Sequence, residues 1–373
     1  MLTWDFVCFV VLLLAVLLTF RESIFQKQVV FESDTLNFYY PLESWISQEL
    51  KQGHFPLWNP NIFAGYPIFA DGELGLANPL HLLLLLLLPV EDAYVWQRVS
   101  SALIGAASMF FFCRALGLRG LATLLGGLVF GLGSFLAEQR HHDDMVRTVA
   151  WAPLVLACAE LALQRSGWRA VRWLMGAAFA LAMTALGLHP QGLAMTALLL
   201  AIYMLFRGAF GGATGPSERE VRRGLPPLPL GEGWGEGVSL GRVSALGRRF
   251  TLTFLAGLLI GAVGLGLAAV QLLPTAEAGL ATYRESQPAY VFATSYELHP
   301  QNLISLIFPY FFRAVDSRPW TLWAPWEVAA YVGIIPLVLG LIGLARGPRP
   351  LVICFGGIAL LGLWLSLADS VPL

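Results

Sequence analysis

The chain has 373 residues, of which 57% are hydrophobic and 13% charged, where soluble domains carry about 25% charged residues. That is too little charge to coat one globule of this size and too much apolar surface for a disordered chain. The formal net charge of -1, from 23 Lys plus Arg and 24 Asp plus Glu, leaves no basic field to draw nucleic acid. The class that remains is all-α: a polytopic helical membrane protein whose first partner is a lipid bilayer.

A hydrocarbon core about 30 Å thick takes roughly 20 apolar residues of helix. On that measure the sequence predicts nine spans: Trp4 to Phe20, Ala93 to Leu116, Leu121 to Ala137, Val149 to Leu163, Trp173 to Leu188, Gln191 to Phe206, Phe250 to Leu273, Val328 to Leu344 and Leu351 to Leu367. The first follows no Lys or Arg and precedes no small-x-small cleavage site, so it reads as a retained anchor. The leucine run Leu82 to Leu88 is too short to cross and lies between Asn78-Pro79 and Pro89, which predicts an interfacial or re-entrant helix. The break at His189-Pro190-Gln191 predicts two short spans joined by a tight turn. Cys8, Cys113, Cys158 and Cys354 sit in apolar runs without metal or redox spacing.

Lys and Arg placement sets the orientation. With the amino terminus cytoplasmic, 14 of the 23 basic residues lie near inner loops, as the positive-inside rule requires, and all six histidines fall outside. Three connections are long: 21–92 and 274–327 outside, 207–249 inside. The inner one contains Gly224 to Gly237, a Gly-Pro-Glu stretch with almost nothing to pack, which predicts a disordered insert. The outer two mix aromatics, prolines and single charges, which predicts folded segments carrying the function. Mid-membrane ionisable groups are scarce, with Arg98 and Glu160 near span ends, which argues against an ion-coupled transporter.

In the first outer loop Glu32 and Asp34 form an acidic-x-acidic pair just after the first span. A carboxylate there can serve as a general base or hold a divalent cation; a solvated surface carboxylate or helix cap has the same spacing. Downstream stand Tyr40-Pro41, Phe55-Pro56-Leu57-Trp58-Asn59, Phe63 with Gly65-Tyr66-Pro67, and Asn78-Pro79-Leu80; further along are Gly187-Leu-His-Pro-Gln191, Gln271-Leu-Leu-Pro-Thr-Ala-Glu277 and Asn302 to Pro309. In that order these residues resemble bacterial YfhO-type membrane proteins, which are similar in turn to the GT-C glycosyltransferases that use polyprenyl-phosphate sugars. The resemblance implies a transmembrane module of that type over 1–373, with 21–92 as its catalytic loop. It implies inverting glycosyl transfer on the outer face of a bacterial inner membrane, from a polyprenyl-phosphate-linked sugar to a cell-envelope acceptor. It points to Asp34 as the catalytic residue and to Glu32, Tyr40, Trp58, Asn59, His189, Glu277 and His299 as candidate substrate contacts. YfhO-type chains are commonly longer, so this one reads as an amino-terminal portion.

Other candidates come from the residues themselves. Glu138 to Arg147 is read as the loop after the third span; within it His142, Asp143 and Asp144, beside His141, are candidate ligands for a divalent metal ion. Pairing of Asp143 or Asp144 with Arg140 or Arg147 is the structural alternative. Arg284 is a candidate clamp for a carrier phosphate, an arginine paired with Glu285 or Glu277 being the alternative. His189 reads equally as a turn cap, and Trp320, Trp323 and Trp326 as an aromatic belt. No organic cofactor is expected. A lipid-linked-sugar binding protein, a flippase and an inactive remnant are the competing classes.

Overall fold

The computed structural model describes residues 2–27, 34–139, 142–211, 240–281, 298–309, 311 and 330–367. Among these the fold is all-helical, with one isolated antiparallel bridge, Asn59 to Tyr66. The helices are α1 Leu2–Thr19, α2 Arg21–Gln26, α3 Tyr40–Lys51, α4 Pro79–Leu87, α5 Val90–Ala115, α6 Leu121–Leu132, α7 Ser134–Glu138, α8 Asp143–Val149, α9 Ala152–Leu163, α10 Gly167–Ala185, α11 Pro190–Phe210, α12 Leu240–Leu280, α13 Ile334–Arg346 and α14 Arg349–Ser366. Among the described residues five stretches are long and apolar enough to cross a membrane: Leu121–Glu138, Asp143–Leu163, Pro190–Phe210, Gly247–Leu280 and Arg349–Ser366. The other predicted spans coincide with helices that are shorter, α1 and α13, or that carry charges, α5 with Arg98 and α10 with Arg169 and Arg172. The chain is therefore a multi-pass helical membrane protein.

α5 is central, with α1 and α6 on one side and α9 on the other; α9 packs on α10, and α10 and α11 on α12. The approach of α6 to α5 is close because Gly127 and Gly131 face Ala106. A Cβ on Gly131 would lie 2.5 Å from the Ala106 Cβ, the small-residue seam that lets membrane helices touch backbone to backbone. Phe112, Tyr203, Leu181 and Ile260 belong to the main apolar core. One end of the bundle is fixed by Asp5 of α1, which pairs with Arg114 at 2.7 Å and accepts the Gly120 N–H at 2.8 Å. A helix N-terminus favours the Asp5 carboxylate, and a C-terminus favours Arg114.

Several expectations change. The segment Glu138 to Arg147 is mostly helix rather than loop: α7 ends at Glu138 and α8 begins at Asp143. The span predicted from Val149 thus starts at Asp143, whose charge Arg98 neutralises at 2.9 Å. α12 does not stop at Leu273; it runs 41 residues, through Pro274, about 60 Å at 1.5 Å per residue. Proline removes one backbone bond, but Gln271 holds that turn by accepting the Ala77 N–H at 2.9 Å and donating to the Phe69 carbonyl at 2.5 Å. Glu160, near a span end, is not a surface charge. It is fully buried and held by Arg207 through two bonds, 2.6 and 2.9 Å, and by the Tyr203 hydroxyl at 2.7 Å. The short helix predicted around Leu82 to Leu88 is α4, capped by Asn78, whose Oδ1 accepts from the Leu80 and His81 N–H groups. The low-complexity insert Gly224 to Gly237 lies outside the described residues.

Candidate functional site

At the end of the bundle opposite Asp5 and Glu160, the segment from Asp34 to His81 lies over the ends of α5, α8 and α12. One π-helical turn, Thr35–Tyr39, leads directly into α3. It buries Thr35 and Tyr39, four residues apart and so on one face, and leaves Asp34 at its start on the outside. Thr35 Oγ1 lies 2.8 Å from the Tyr94 hydroxyl. The Tyr39 hydroxyl donates to Asp144 at 3.0 Å and lies 3.3 Å from Glu73. Burial and the nearby carboxylates raise the Tyr39 phenol well above its ordinary value, so it stays protonated and donates to them. Arg98 donates to Asp143 and also reaches the Tyr94 hydroxyl, with its guanidinium 4.4 Å from the Tyr94 ring centre.

Beneath this layer Arg147 of α8 joins five segments. It donates to the carbonyls of Glu73, Leu74 and Gly187, to Gln97 Oε1 at 3.3 Å, and to His81 Nδ1 at 2.6 Å. Arginine cannot accept, so His81 Nδ1 is the acceptor and Nε2 carries the proton. That Nε2 faces Glu43 Oε1 at 3.7 Å; neither atom has a hydrogen-bond partner, while Glu43 Oε2 accepts from Gln97 at 3.1 Å. Burial first, then Asp143, pushes the Glu43 carboxyl up to about 8, against the opposing pull of Arg147. Burial and Arg147 hold His81 well below its ordinary value. Beside the cluster is a small pocket, lined by polar Asn78, Ser101 and Arg147 and apolar Leu80, Leu84 and Trp151.

The candidates read from the sequence divide into three groups. Asp34 and His142 come together: the Asp34 side chain is 54% exposed, its Oδ2 lies 3.9 Å from His142 Nε2, and His142 Nδ1 is 2.7 Å from Gln139 Oε1. His189 lies close enough to His142 to feel its charge; burial first and His142 second lower it to about 4. Its Nδ1 accepts the Gly192 N–H at 3.0 Å, so it caps α11.

The second group is engaged elsewhere. Asp143 pairs with Arg98 and Asp144 accepts from Tyr39; of the alternative partners, Arg147 acts on Asp144 through its charge without a direct ion pair, and Arg140 lies outside the described residues. Among the described residues no group of three or more His, Cys, Asp or Glu side chains is gathered as metal ligands. The Tyr40 hydroxyl donates to Glu91 at 3.0 Å. Asn59 is buried in its bridge to Tyr66, with Oδ1 accepting the Asn61 N–H. Trp58 packs against Gly65, Glu277 is exposed on the last turns of α12, and His299 precedes the 3-10 turn Pro300–Leu306, next to Leu298, which donates to the Ser366 carbonyl at 2.7 Å.

The third group lies outside the described residues: Glu32, Arg284, Arg140, His141 and Trp320, Trp323 and Trp326. Glu43, His81, Gln97 and Arg147, which build the buried network, are absent from the sequence-derived set of site residues. Only His81 carried a signal, a polar side chain in an otherwise apolar leucine helix; Glu43 and Arg147 sit among other polar residues of their short helices and do not stand out by type.

Comparison with models of protein families gives no match, and neither curated proteins nor solved structures give one. What fold and site define together is a class: a multi-pass helical membrane protein with a buried ionic network at one end, covered by the long segment after its first helix.

Proposed function

We propose that the chain is an integral membrane glycosyltransferase that moves a sugar from a polyprenyl-phosphate carrier to an envelope acceptor on the outer membrane face. The amino terminus is then cytoplasmic, with the Asp34 to His81 segment outside a bacterial inner membrane. The observation that carries this reading is the position of Asp34: its side chain is half exposed at the start of the turn that covers the buried network, with Oδ2 3.9 Å from His142 Nε2. Asp34 accepts the proton of an acceptor hydroxyl as that oxygen forms its bond to the anomeric carbon. The carbon–oxygen bond to the carrier phosphate breaks, and the phosphate leaves with the electron pair. His142 Nδ1–H donates to Gln139 Oε1, which leaves Nε2 as the ring nitrogen that receives the proton from Asp34 in turn.

The network beneath acts by positioning. Tyr39 and Thr35, both buried, pin the turn that carries Asp34 to α8 and α5, which fixes a base within reach of its proton as such catalysis requires. Arg284 remains part of the proposal as phosphate clamp, and a divalent ion held near Glu32 would be the other source of positive charge for the leaving phosphate. Incubating membranes that contain the full chain with labelled polyprenyl-phosphate sugars tests the reading. Carrier-dependent transfer of label is expected; binding of the carrier without transfer would instead favour a lipid-linked-sugar binding protein or flippase.

A further inference from the structure

Between His54 and Asp71 the chain runs sixteen residues, Phe55 to Ala70, with no charged side chain. In a loop at the end of a bundle, solvent exposure normally selects charge. Here it selects the opposite: Phe55, Leu57, Trp58 and Phe63 are all exposed, Phe63 by 86%. The segment is firmly built. Asn59 and Tyr66 exchange two backbone bonds of 2.8 Å, Gly65 donates to the Ile62 carbonyl, and Ile68 is fully buried. At its tip Phe63 and Ala64 take φ of 52° and 60°, followed by Gly65 at 115°. Left-handed backbone is costly for residues with side chains, and here it accompanies a phenyl ring that points away from the protein. Gly65 is required beneath it, since a Cβ there would lie 2.4 Å from the Trp58 ring.

The height of this knob is set by α12. Gln271 donates to the Phe69 carbonyl and accepts the Ala77 N–H, so the base of the knob is bonded to that helix. A core about 30 Å thick takes roughly 20 residues of helix; laid over the most apolar part of α12, Phe250 to Leu273, its edge falls at Gln271. Next to Gln271 on the same helix Val270 and Leu273 are exposed apolar side chains. An uncharged, aromatic projection bonded at the boundary of the hydrocarbon region, and continuous with a lipid-facing helix, matches the belt where aromatic rings prefer to sit. We propose that the knob Phe55 to Ala70 is a membrane-surface anchor, and that its occupant is the lipid leaflet on the side of the Asp34 site. The anchor holds the segment between Asp34 and His81 against the bilayer independently of what reaction is carried out there.

The test is site-specific photocrosslinking of the full chain in phosphatidylcholine–phosphatidylglycerol nanodiscs, with Phe63→p-benzoylphenylalanine as probe, Leu273→p-benzoylphenylalanine as lipid-facing reference, and the same replacement of exposed Gln52, at the charged end of α3, as aqueous reference. The yield of lipid adduct at position 63 should match that at 273 and exceed that at 52 severalfold. Where the Phe63 variant does not give folded protein, the Leu57 variant is read in its place. A yield at 63 or 57 no greater than at 52 overturns the proposal, and crosslinking there to protein or saccharide in place of lipid does the same.

Discussion

Glu43 is the residue whose behaviour departs furthest from what its type suggests. It is fully buried, its carboxyl is raised from 4.5 to about 8, and Asp143, Arg147 and Arg98 are the charges that act on it. Between pH 4.5 and 8 the folded chain therefore holds a proton on Glu43 that the unfolded chain has released, and stability falls as pH rises. His81 has the opposite sign. It stays neutral in the fold, so below about 6.5 the unfolded state binds the extra proton and stability rises with pH. His189, lowered to about 4, adds to that second slope. The Glu43 slope, up to about 1.4 kcal/mol per pH unit, is thus unopposed by these histidines only between about pH 6.5 and 8. Thermal midpoints of the detergent-solubilised protein should fall across that window, and Glu43→Gln should flatten the fall. An equal decline in the variant would assign the effect to other groups.

At the scale of elements, the pairing of α9 with α11 rests on an ionic contact that the core could not otherwise tolerate. Glu160 is fully buried and Arg207 nearly so. Removing one partner of such a pair strands a charge, at a cost of about 3–5 kcal/mol, whereas replacing both with apolar groups is often neutral. Arg207→Ala should accordingly lower the yield of folded protein sharply, while Glu160→Leu with Arg207→Met recovers most of it. Equal loss in both would mean that the pair does more than hold the helices together.

The same scale shows what could be read from the residues. The long apolar helices were legible, because apolar runs mark them and the breakers Pro79, Pro89 and Pro190 mark the starts of α4, α5 and α11; the short helices α2, α3, α7 and α8 were not. The extent of α12 was not: Pro274 reads as a stop, and only the bonds from Gln271 to Phe69 and Ala77, about 200 positions away in the chain, show why the helix continues. The pairing of Asp34 with His142 was half legible. Both residues stood out by type and loop position, but nothing in their spacing brings them to 3.9 Å. Arg98 looked like a residue at a span end and Arg147 like one of a loop, whereas each occupies a site made by several distant segments.

For the whole molecule, the two polar ends of the bundle differ in kind. One carries Asp5, Arg114, Glu160 and Arg207 near helix ends; the other carries the network from Thr35 to Arg147 under its long covering segment. The proposed orientation puts the second end outside. In intact cells Gln52→Cys should react with an impermeant maleimide and Ser166→Cys only after permeabilisation; the reverse pattern would invert the topology.

The most direct measurement of the central claim is the rate of labelled-sugar transfer from polyprenyl phosphate by membranes carrying the full chain, compared with Asp34→Asn. The exchange keeps shape and hydrogen bonding but removes the proton acceptor, so turnover should drop by roughly 10² to 10⁴ at unchanged protein level. Transfer by Asp34→Asn at the rate of the unaltered chain would contradict the account.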